Sequence, residues 1–418
     1  MSPAMRDAIA TARGAQDYGA AQAWTLLALS TLPVMAIASL VPVLPSLFAH
    51  FSSVPDRELL VPMVLTVPSL CVALFSSPIG VAADRWGRRR LLLVALAAFS
   101  VAGLLPMAFD DLHAIIASRV VVGVAEATLL TVGNALMGDY FQGAQRRRWL
   151  GLQMSTGAFF SSMYIVAGGV LGSWNWRGPF LLYLVGLLVL AAAIRYLPEP
   201  ARRPGGEAGI EARHADGGAA VRVGGDASGD AGRHFPWRVT GQICAVTLLV
   251  SIIYFVQAVQ HGRIFSDLGV EVPSRIGLIV TLASGGTIIG GMVFKRLPPT
   301  PVSTLLAVSF LAYGVSYLGI GLSPDYRVGL PFDAIGQFGG GFVLPTLIAW
   351  ALSQYDFEHR GRGMGIWGGC FFLGQFLSPP VLTLVAHGRL SFLQTVAVLG
   401  GGCLVLAAAA LLLRWRRR

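Results

Sequence analysis

The chain has 418 residues, of which 55% are hydrophobic and only 12% charged, and its mean hydropathy is +0.66. Soluble domains carry about 25% charged residues, so this composition excludes an ordinary water-facing surface and indicates a protein of the lipid bilayer. A formal net charge of +10 would suggest nucleic acid as a partner of a soluble chain. In a membrane protein that argument fails, and we expect no nucleic-acid partner.

Twelve apolar runs reach the length of about 20 residues that a bilayer-spanning helix needs. In chain order they are predicted at 23–48, 59–83, 90–109, 112–138, 149–172 and 178–197, and then at 240–262, 274–294, 302–322, 328–351, 363–386 and 390–413. The runs do not alternate in polarity, so they predict helices rather than strands. The expected fold class is an all-α integral membrane protein with twelve transmembrane helices.

The stretch 199–239 separates the first six runs from the last six. It is rich in Gly, Ala, Arg and Asp and buries too little apolar surface to order itself, so it is predicted to be a flexible linker. The predicted organisation is a tail at 1–22, a six-helix bundle at 23–198, the linker, a second six-helix bundle at 240–413 and a basic tail at 414–418. Two halves of six helices form the parallel-repeat plan of a large transporter group, so we expect pseudo-symmetric bundles.

Basic residues predict the orientation of these helices. Most of the 31 lysine and arginine residues lie in the tails, the linker and the loops of one side. The other side holds Arg57, Arg177, Arg263, Arg275, Arg327 and Arg389. Cytoplasmic loops carry the excess of basic residues, so both termini and the linker are predicted to be cytoplasmic, in a cell inner membrane. No apolar segment precedes the first run, which argues against a cleaved signal peptide.

One motif stands between the second and third runs and reads Gly80-Val-Ala-Ala-Asp84-Arg85-Trp86-Gly87-Arg88-Arg89-Arg90. Gly80 permits close helix approach, Asp84 can face a helix N-terminus, and Gly87 makes a turn. The motif resembles the G-x-x-x-D-R-x-G-R-R signature of the major facilitator superfamily, and it is complete at Gly80, Asp84, Arg85, Gly87, Arg88 and Arg89. The resemblance extends from Trp24 to about Arg414 and implies a secondary transporter.

The resemblance also implies a role for this loop, because in that family it is thought to latch the cytoplasmic ends of the two halves together. Carried over here, Asp84 would face the backbone amides near 363–365. Asp139, at the end of the fourth run, would pair with an arginine such as Arg85. The corresponding loop of the second half lacks the aspartate, so a second, symmetric latch is not expected.

Three ionisable residues fall inside the predicted spans: Arg119, Glu126 and Asp333. Such residues are costly in a bilayer and are functional hypotheses by default. Arg119 and Glu126 share one face of a helix, and a carboxyl near the membrane centre could bind and release a proton. The alternative is a buried Arg119–Glu126 ion pair that only fixes packing. Asp333 is a further candidate for proton coupling, unless it lies in the outer headgroup region.

The stretch from Arg119 to Ala127 resembles the fourth-helix motif of proton-coupled facilitators. Its Gly-x-x-Glu-Ala part is also similar to the fourth helix of spinster-type transporters. The resemblance implies that Glu126 is the coupling carboxylate and that Arg119 takes part in proton handling.

Candidate substrate contacts come from polar and aromatic residues within the spans. In the seventh run, Tyr254, Gln257 and His261 form a polar stripe, and in the family helices one, four, seven and ten line a central cavity. The full candidate set is Tyr254, Gln257, His261, Gln337, Asn134, Trp367 and Phe371. A polar contact between helices, or aromatic packing, is the alternative. His50 and His261 lie at predicted helix ends and are expected to be solvated, and the four cysteines are expected to be buried small hydrophobes.

No nucleotide-binding loop or catalytic motif is present, so we expect neither an enzyme nor an ATP-driven pump. No cofactor and no metal site are predicted, and a proton gradient would supply the energy. The sequence predicts a monomeric antiporter that alternates access and exports a small amphipathic or cationic compound in exchange for protons. The alternatives are a proton symporter that imports an organic acid held by Arg119, an exporter of lipids, lysolipids or siderophores, and an inactive transporter-like receptor.

Overall fold

The computed structural model describes residues 18–200, 235–386 and 388–415 of the chain. The described part contains twelve helices long and apolar enough to cross a membrane. They are α1 (Ala20–His50), α2 (Arg57–Trp86), α3 (Arg88–Met107), α4 (Leu112–Tyr140), α5 (Gly143–Trp174), α6 (Gly178–Tyr196), α7 (Trp237–Asp267), α8 (Pro273–Arg296), α9 (Val302–Leu322), α10 (Tyr326–Gln354), α11 (Phe357–Ala386) and α12 (Phe392–Trp415). The prediction of twelve spanning helices is confirmed. Most of the predicted linker and tails lies outside the described residues.

Helix boundaries differ from the predicted runs in a few places. The first run is not one regular helix, because α1 consists of Ala20–Ala38, a 3-10 turn at Val41–Val43 and the short helix Leu44–His50. Prolines at positions 42 and 45 lack the backbone N–H that a continuous helix would use there. The second bundle begins at Trp237, within the stretch assigned to the linker.

The start of α4 is set by its cap. The Asp111 carboxylate accepts a hydrogen bond from the backbone N–H of Ala114 at 2.9 Å. This bond satisfies one of the free donors of the first turn and lowers the pKa of the Asp111 carboxyl.

The two halves repeat the same packing scheme. In the first half α2 packs on α4, α3 packs on α4 and α6, and α1 packs on α5. The second half repeats these pairs as α8 on α10, α9 on α10 and α12, and α7 on α11. Between the halves, α2 packs on α11 and α5 packs on α8, which is again a symmetric pair. The structure therefore confirms two pseudo-symmetric six-helix bundles.

We call the end of the bundle that holds the α2–α3 turn at Gly87 the basic end, and the other end the opposite end. At the basic end, Gly87 joins α2 to α3 with a φ of 95°, which few residues other than glycine adopt. The Glu199 carboxylate accepts a hydrogen bond from the backbone N–H of Arg89 at 3.1 Å. The Arg89 side chain donates in turn to the carbonyl of Ile194 at 2.9 Å. The end of α6 is thereby tied to the start of α3.

Polar contacts that join the halves lie at the opposite end. Arg263 of α7 pairs with Glu58 of α2, and the backbone N–H of Ser274 donates to the Ser173 hydroxyl at 3.0 Å. The guanidinium of Arg263 also lies between two phenyl rings, 4.5 Å from the centroid of Phe48 and 4.3 Å from that of Phe392. These contacts join the two halves at the opposite end, and the Arg263–Glu58 pair borders a cavity of about 280 Å³.

We expect Glu58→Gln to loosen the opposite end without unfolding the protein. A partly exposed ion pair contributes up to about 1 kcal/mol, which corresponds to about a fivefold larger open population. Ser266 lines the same cavity, so a cysteine is introduced there by Ser266→Cys. The measurement is the rate at which a maleimide labels this cysteine in the purified protein. Arg57→Gln is the matched control, because Arg57 borders that cavity but faces Glu58 of its own helix. Equal labelling rates for the two variants would contradict this role of the pair.

Candidate functional site

Arg119 lies in the second turn of α4 and is completely buried. Its guanidinium donates to the carbonyls of Ala102 and Gly103 at 3.1 and 3.2 Å and to the Tyr183 hydroxyl at 2.9 Å. The two carbonyls belong to the end of α3, where the Ala102 carbonyl also accepts a hydrogen bond from the backbone N–H of Leu105. Arg119 therefore caps α3 and binds α3, α4 and α6 together.

The neighbours of Arg119 are arranged around its side chain. The guanidinium carbon lies 5.1 Å from the Phe180 ring centroid and 5.2 Å from that of Tyr183. The Tyr183 ring lies so close to α3 that a Cβ atom at Gly103 would come within 1.9 Å of it. Only glycine at position 103 lets this tyrosine reach Arg119.

Glu126 lies at the middle of the 29-residue helix α4, and its side chain is buried. Gly123, three residues earlier, presses this region of α4 against α2, since a Cβ there would lie 2.6 Å from the Cα of Pro68. The Glu126 Oε1 atom has no hydrogen-bond partner among the described residues. The donors of Arg119 point to α3 and Tyr183 instead, so the alternative of a fixed Arg119–Glu126 ion pair is wrong.

Asp333 lies in the second turn of α10, the position that Arg119 occupies in α4, and it is completely buried. Its Oδ1 atom accepts a hydrogen bond from Gln257 Nε2 at 2.5 Å and lies 3.1 Å from His261 Nε2. Both partners come from α7. Asp333 is therefore covered by α7 and buried inside the protein, although it lies near the start of α10.

His261 is only 3% exposed, so the expectation that it is solvated is also wrong. Its Nε2 atom lies 3.0 Å from Gln337 Nε2, one turn after Asp333. The Thr287 hydroxyl of α8 donates to Gln337 Oε1 at 2.7 Å. One hydrogen-bonded network thus connects α7, α8 and α10 and includes Gln257, His261, Asp333 and Gln337, four of the predicted site residues.

The packing of α7 on α10 depends on a small residue. A Cβ atom at Gly336 would lie 2.7 Å from Gln257 Oε1, so the Gln257 amide rests directly on the α10 backbone. On the other side, the Tyr317 hydroxyl of α9 accepts a hydrogen bond from the Gln257 backbone N–H at 3.1 Å and donates to the Ile253 carbonyl. Gln257 is therefore held from two sides.

The second oxygen of Asp333, Oδ2, is buried without a hydrogen-bond partner among the described residues. The Asp333 carboxyl and the His261 imidazole are thus in buried contact inside the second half.

The predicted aromatic contacts form a cluster of α7 and α11. Phe371 lies between Tyr254, with 6.2 Å between ring centroids, and Trp367, at 5.8 Å. Trp367 is 8% exposed, and its indole N–H has no partner among the described residues. The cluster supplies an apolar surface with an unused donor beside the network.

The remaining predicted positions are more dispersed. Asn134 is exposed and accepts a hydrogen bond from Gln153 Nε2 at 3.4 Å. Both residues are far in sequence from those of the Asp333 network. His50 is exposed as expected, and its ring lies tilted against that of Trp176 with 4.6 Å between the centroids. The expectation for the cysteines holds for Cys71 and Cys403, whereas Cys244 and Cys370 are only half-buried.

The predicted latch residues lie at the basic end. Asp84 is 67% exposed and pairs with Arg88, one turn further on, at 3.1 Å. Among the described residues no backbone N–H near 363–365 donates to the Asp84 carboxylate, which accepts from Arg88 instead, so that expectation is not met. Asp139 pairs with an arginine of this loop, and that arginine is Arg88. Gly80 lies in the last two turns of α2, and Arg85 lies in the last.

Three residues of the site were not predicted: Tyr183, Thr287 and Tyr317. Each of them carries a side-chain hydroxyl and lies within an apolar run of the sequence. Its role becomes visible only from the residue that it contacts on a neighbouring helix. For Tyr183, the nearby Gly178-Pro179 turn was the available signal, because it fixes where α6 begins.

A family model described as Major Facilitator Superfamily matches residues 26–329 and 243–418. Among curated relatives, the multidrug efflux pump LfrA of Mycolicibacterium smegmatis is 31% identical over 188 residues, 43% of this chain and 36% of its own length. The class B tetracycline resistance protein of Escherichia coli is 29% identical over 192 residues, 44% of this chain and 47% of its own. The bacillibactin exporter of Bacillus subtilis is 31% identical over 167 residues, 37% of this chain and 40% of its own. The match spans less than half the length of each of these relatives.

Solved structures share the fold over nearly the whole chain. A bacterial homologue of the human lysosomal transporter Spinster, in an inward-facing and occupied conformation, superposes with a TM-score of 0.70 at 16% identity. It covers 96% of this chain and 98% of its own. The POT family transporter PepTSo superposes with a TM-score of 0.69 at 13% identity, covering 94% of this chain and 97% of its own. At such identities the likeness extends to the fold alone.

Proposed function

We propose that this chain, which belongs to the Major Facilitator Superfamily, exports a small amphipathic or cationic compound in exchange for protons. Its family and its efflux-pump relatives make it a multi-pass membrane transporter. The exchange for protons, the class of substrate and the direction of transport are the proposal.

The observation that carries the proposal is the state of Glu126. It lies at the centre of a spanning helix, is buried, and has an oxygen without a partner among the described residues. A carboxyl in such a position is stable when protonated and costly when ionised. Transport that depends on its ionisation would therefore be driven by a proton gradient.

The Asp333–His261 pair supports the same reading from the second half. Two titratable groups in contact at 3.1 Å, both buried, can share and exchange a proton. With Glu126 in α4 and this pair between α7 and α10, each half of a rocking transporter would carry its own proton acceptor.

The substrate class follows from charge and surface. Glu126 and Asp333 are acidic, and the aromatic cluster of Tyr254, Trp367 and Phe371 provides stacking surface. A lipophilic cation would balance the charge of the two carboxyl groups and pack on the aromatic rings. Relatives named as exporters of several drugs and of bacillibactin are compatible with an apolar compound, and export of a siderophore or a lipid is the alternative within this proposal.

Import of an organic acid held by Arg119 is less compatible with the geometry. Every side of the Arg119 guanidinium is occupied by protein, namely by α3 carbonyls, Ser118 and Tyr183. A substrate carboxylate would have to displace the cap of α3.

We further propose that the protein is a monomer of the inner membrane, with both termini in the cytoplasm. The arginines of the basic end support this orientation.

The proposal is tested in liposomes that contain the purified protein and a lumenal pH dye. Addition of ethidium or tetracycline outside is expected to make the lumen alkaline as protons leave in exchange, and liposomes without protein show the background. Lumenal acidification on addition of citrate would instead favour the organic-acid symporter. If imposed proton gradients of both directions leave ethidium flux unchanged, proton coupling is wrong and a facilitator remains.

A further inference from the structure

Two of the four cysteines lie together between neighbouring helices. Cys244 belongs to α7 and Cys370 to α11, and their thiols interact with each other. Both of these cysteines are half-buried, whereas Cys71 and Cys403 are buried. The paired thiols are therefore the ones that a reagent from outside the protein can reach.

The packing of α7 on α11 keeps the two thiols within reach of each other. Ser251 lies two turns after Cys244 on the same face of α7. Gly374 lies one turn after Cys370 on the same face of α11. A Cβ atom at Gly374 would lie 1.8 Å from Ser251 Oγ and 3.1 Å from the backbone nitrogen of Ile252. The two helices thus approach each other closely in the interface that carries the thiols.

The number of ligands restricts the kind of metal ion that this pair can hold. Structural zinc needs a complete tetrahedral set of protein ligands. Among the described residues, no group of three or more His, Cys, Asp or Glu side chains could hold a metal ion. Thiolates select soft ions, so the pair fits a soft ion that is satisfied by two thiolates in a linear arrangement.

The charge of the complex restricts the ion further. Both cysteines belong to spanning helices, where a net charge is costly. A monovalent soft ion such as Ag⁺ or Cu⁺ leaves one negative charge when two thiolates bind it. A divalent ion leaves none, because the two thiolates balance its charge. Mercuric ion is soft, divalent and bound by two thiolates in a line.

We propose that Cys244 and Cys370 form a two-thiolate site for mercuric ion, which bridges α7 and α11. Binding breaks both S–H bonds, forms two Hg–S bonds and releases two protons to the solvent, and no atom is oxidised or reduced. Cys370 directly precedes Phe371, so the bridge lies next to the aromatic cluster of α7 and α11. The site does not depend on the proton coupling or on the substrate proposed above.

The test is native mass spectrometry of the purified full-length protein after addition of one equivalent of HgCl₂. An ion that bridges two thiols replaces two hydrogens, whereas an ion on a single thiol replaces one hydrogen and keeps a chloride. We expect the bridged species on the wild type. Because two fixed ligands act together, this species should survive in millimolar 2-mercaptoethanol about a hundredfold longer than an ion on one thiol.

The variants Cys244→Ala and Cys370→Ala are each expected to lose the bridged species. The double variant Cys71→Ala/Cys403→Ala is the matched control, because it removes the two buried thiols and keeps the pair, and it should bind mercuric ion as the wild type does. A chloride adduct alone on the wild type, or a bridged species that persists in Cys244→Ala or Cys370→Ala, would overturn the site. No transport is measured in this experiment, so its outcome is independent of the proposed function.

Discussion

Glu126→Gln is expected to lower proton-driven ethidium transport at least tenfold in liposomes. The amide has nearly the same shape as the carboxyl but neither binds nor releases a proton, so a proton gradient can no longer act through this position. Since the carboxyl is buried and forms no ion pair with any of the described residues, its neutral replacement should leave the folded protein as stable as the wild type. Proton movement and ethidium flux are recorded together, and the melting temperature is measured on the same preparation.

Glu271→Gln is the matched control for this experiment. It removes the same charge from an exposed position in the loop between α7 and α8, and we expect wild-type transport. A folded Glu126→Gln protein with normal gradient-driven flux would remove Glu126 from the mechanism and leave Asp333 and His261 as the candidates.

Arg119→Met is expected to destabilise the protein by about 3 kcal/mol, because several charge-assisted hydrogen bonds are lost at once. The carbonyls of Ala102 and Gly103 and the Tyr183 hydroxyl would lose the hydrogen bonds that Arg119 donates to them. The expected readouts are a lower yield of monodisperse protein and a lower melting temperature in detergent. Arg119→Lys keeps the charge but has fewer hydrogen-bond donors. Its melting temperature should therefore lie between those of the wild type and Arg119→Met.

The same variant separates two roles of Arg119. If the residue acts by capping α3, the surviving Arg119→Met protein should exchange protons and ethidium in the wild-type ratio. A variant of wild-type stability that has lost proton coupling would instead show that Arg119 takes part in proton handling.

Proton coupling at two places would also account for the arrangement of the ionisable residues. Arg119 and Asp333 occupy equivalent positions in α4 and α10, but Arg119 turns to α3 and α6 whereas Asp333 turns to α7. At equivalent places, the first half thus carries the Arg119 guanidinium, which binds helices together, and the second half carries the Asp333–His261 pair. Pseudo-symmetry of the backbone does not require equivalent chemistry.

Several features of the site could be predicted from the sequence because helical spacing is regular. Residues three, four or seven apart lie on one face, so the stripe of Tyr254, Gln257 and His261 and the pair of Asp333 and Gln337 were both recognisable. That the two faces meet depends on the distance between α7 and α10, which Gly336 and the Tyr317 hydroxyl set. Spacing along one helix carries no information about which neighbour a face meets.

Arg119 and Glu126 illustrate the same limit. Their shared face allowed an ion pair, and a long arginine side chain could reach several groups. The end of α3 supplied two carbonyls and α6 supplied a hydroxyl, and these partners hold the guanidinium away from the carboxylate.

The amino-acid sequence by itself determined the number of spanning helices, their division into two halves and the presence of three intramembrane ionisable residues. These follow from the length of apolar chain that a bilayer requires and from the cost of a charge inside it. Only the tertiary structure decided that α3 and α6 surround the Arg119 guanidinium with hydrogen-bond acceptors and that Asp333 joins a network with His261. It also left Glu126 Oε1 without a hydrogen-bond partner among the described residues. Such partners come from residues distant in the chain, and close packing of helices brings them together.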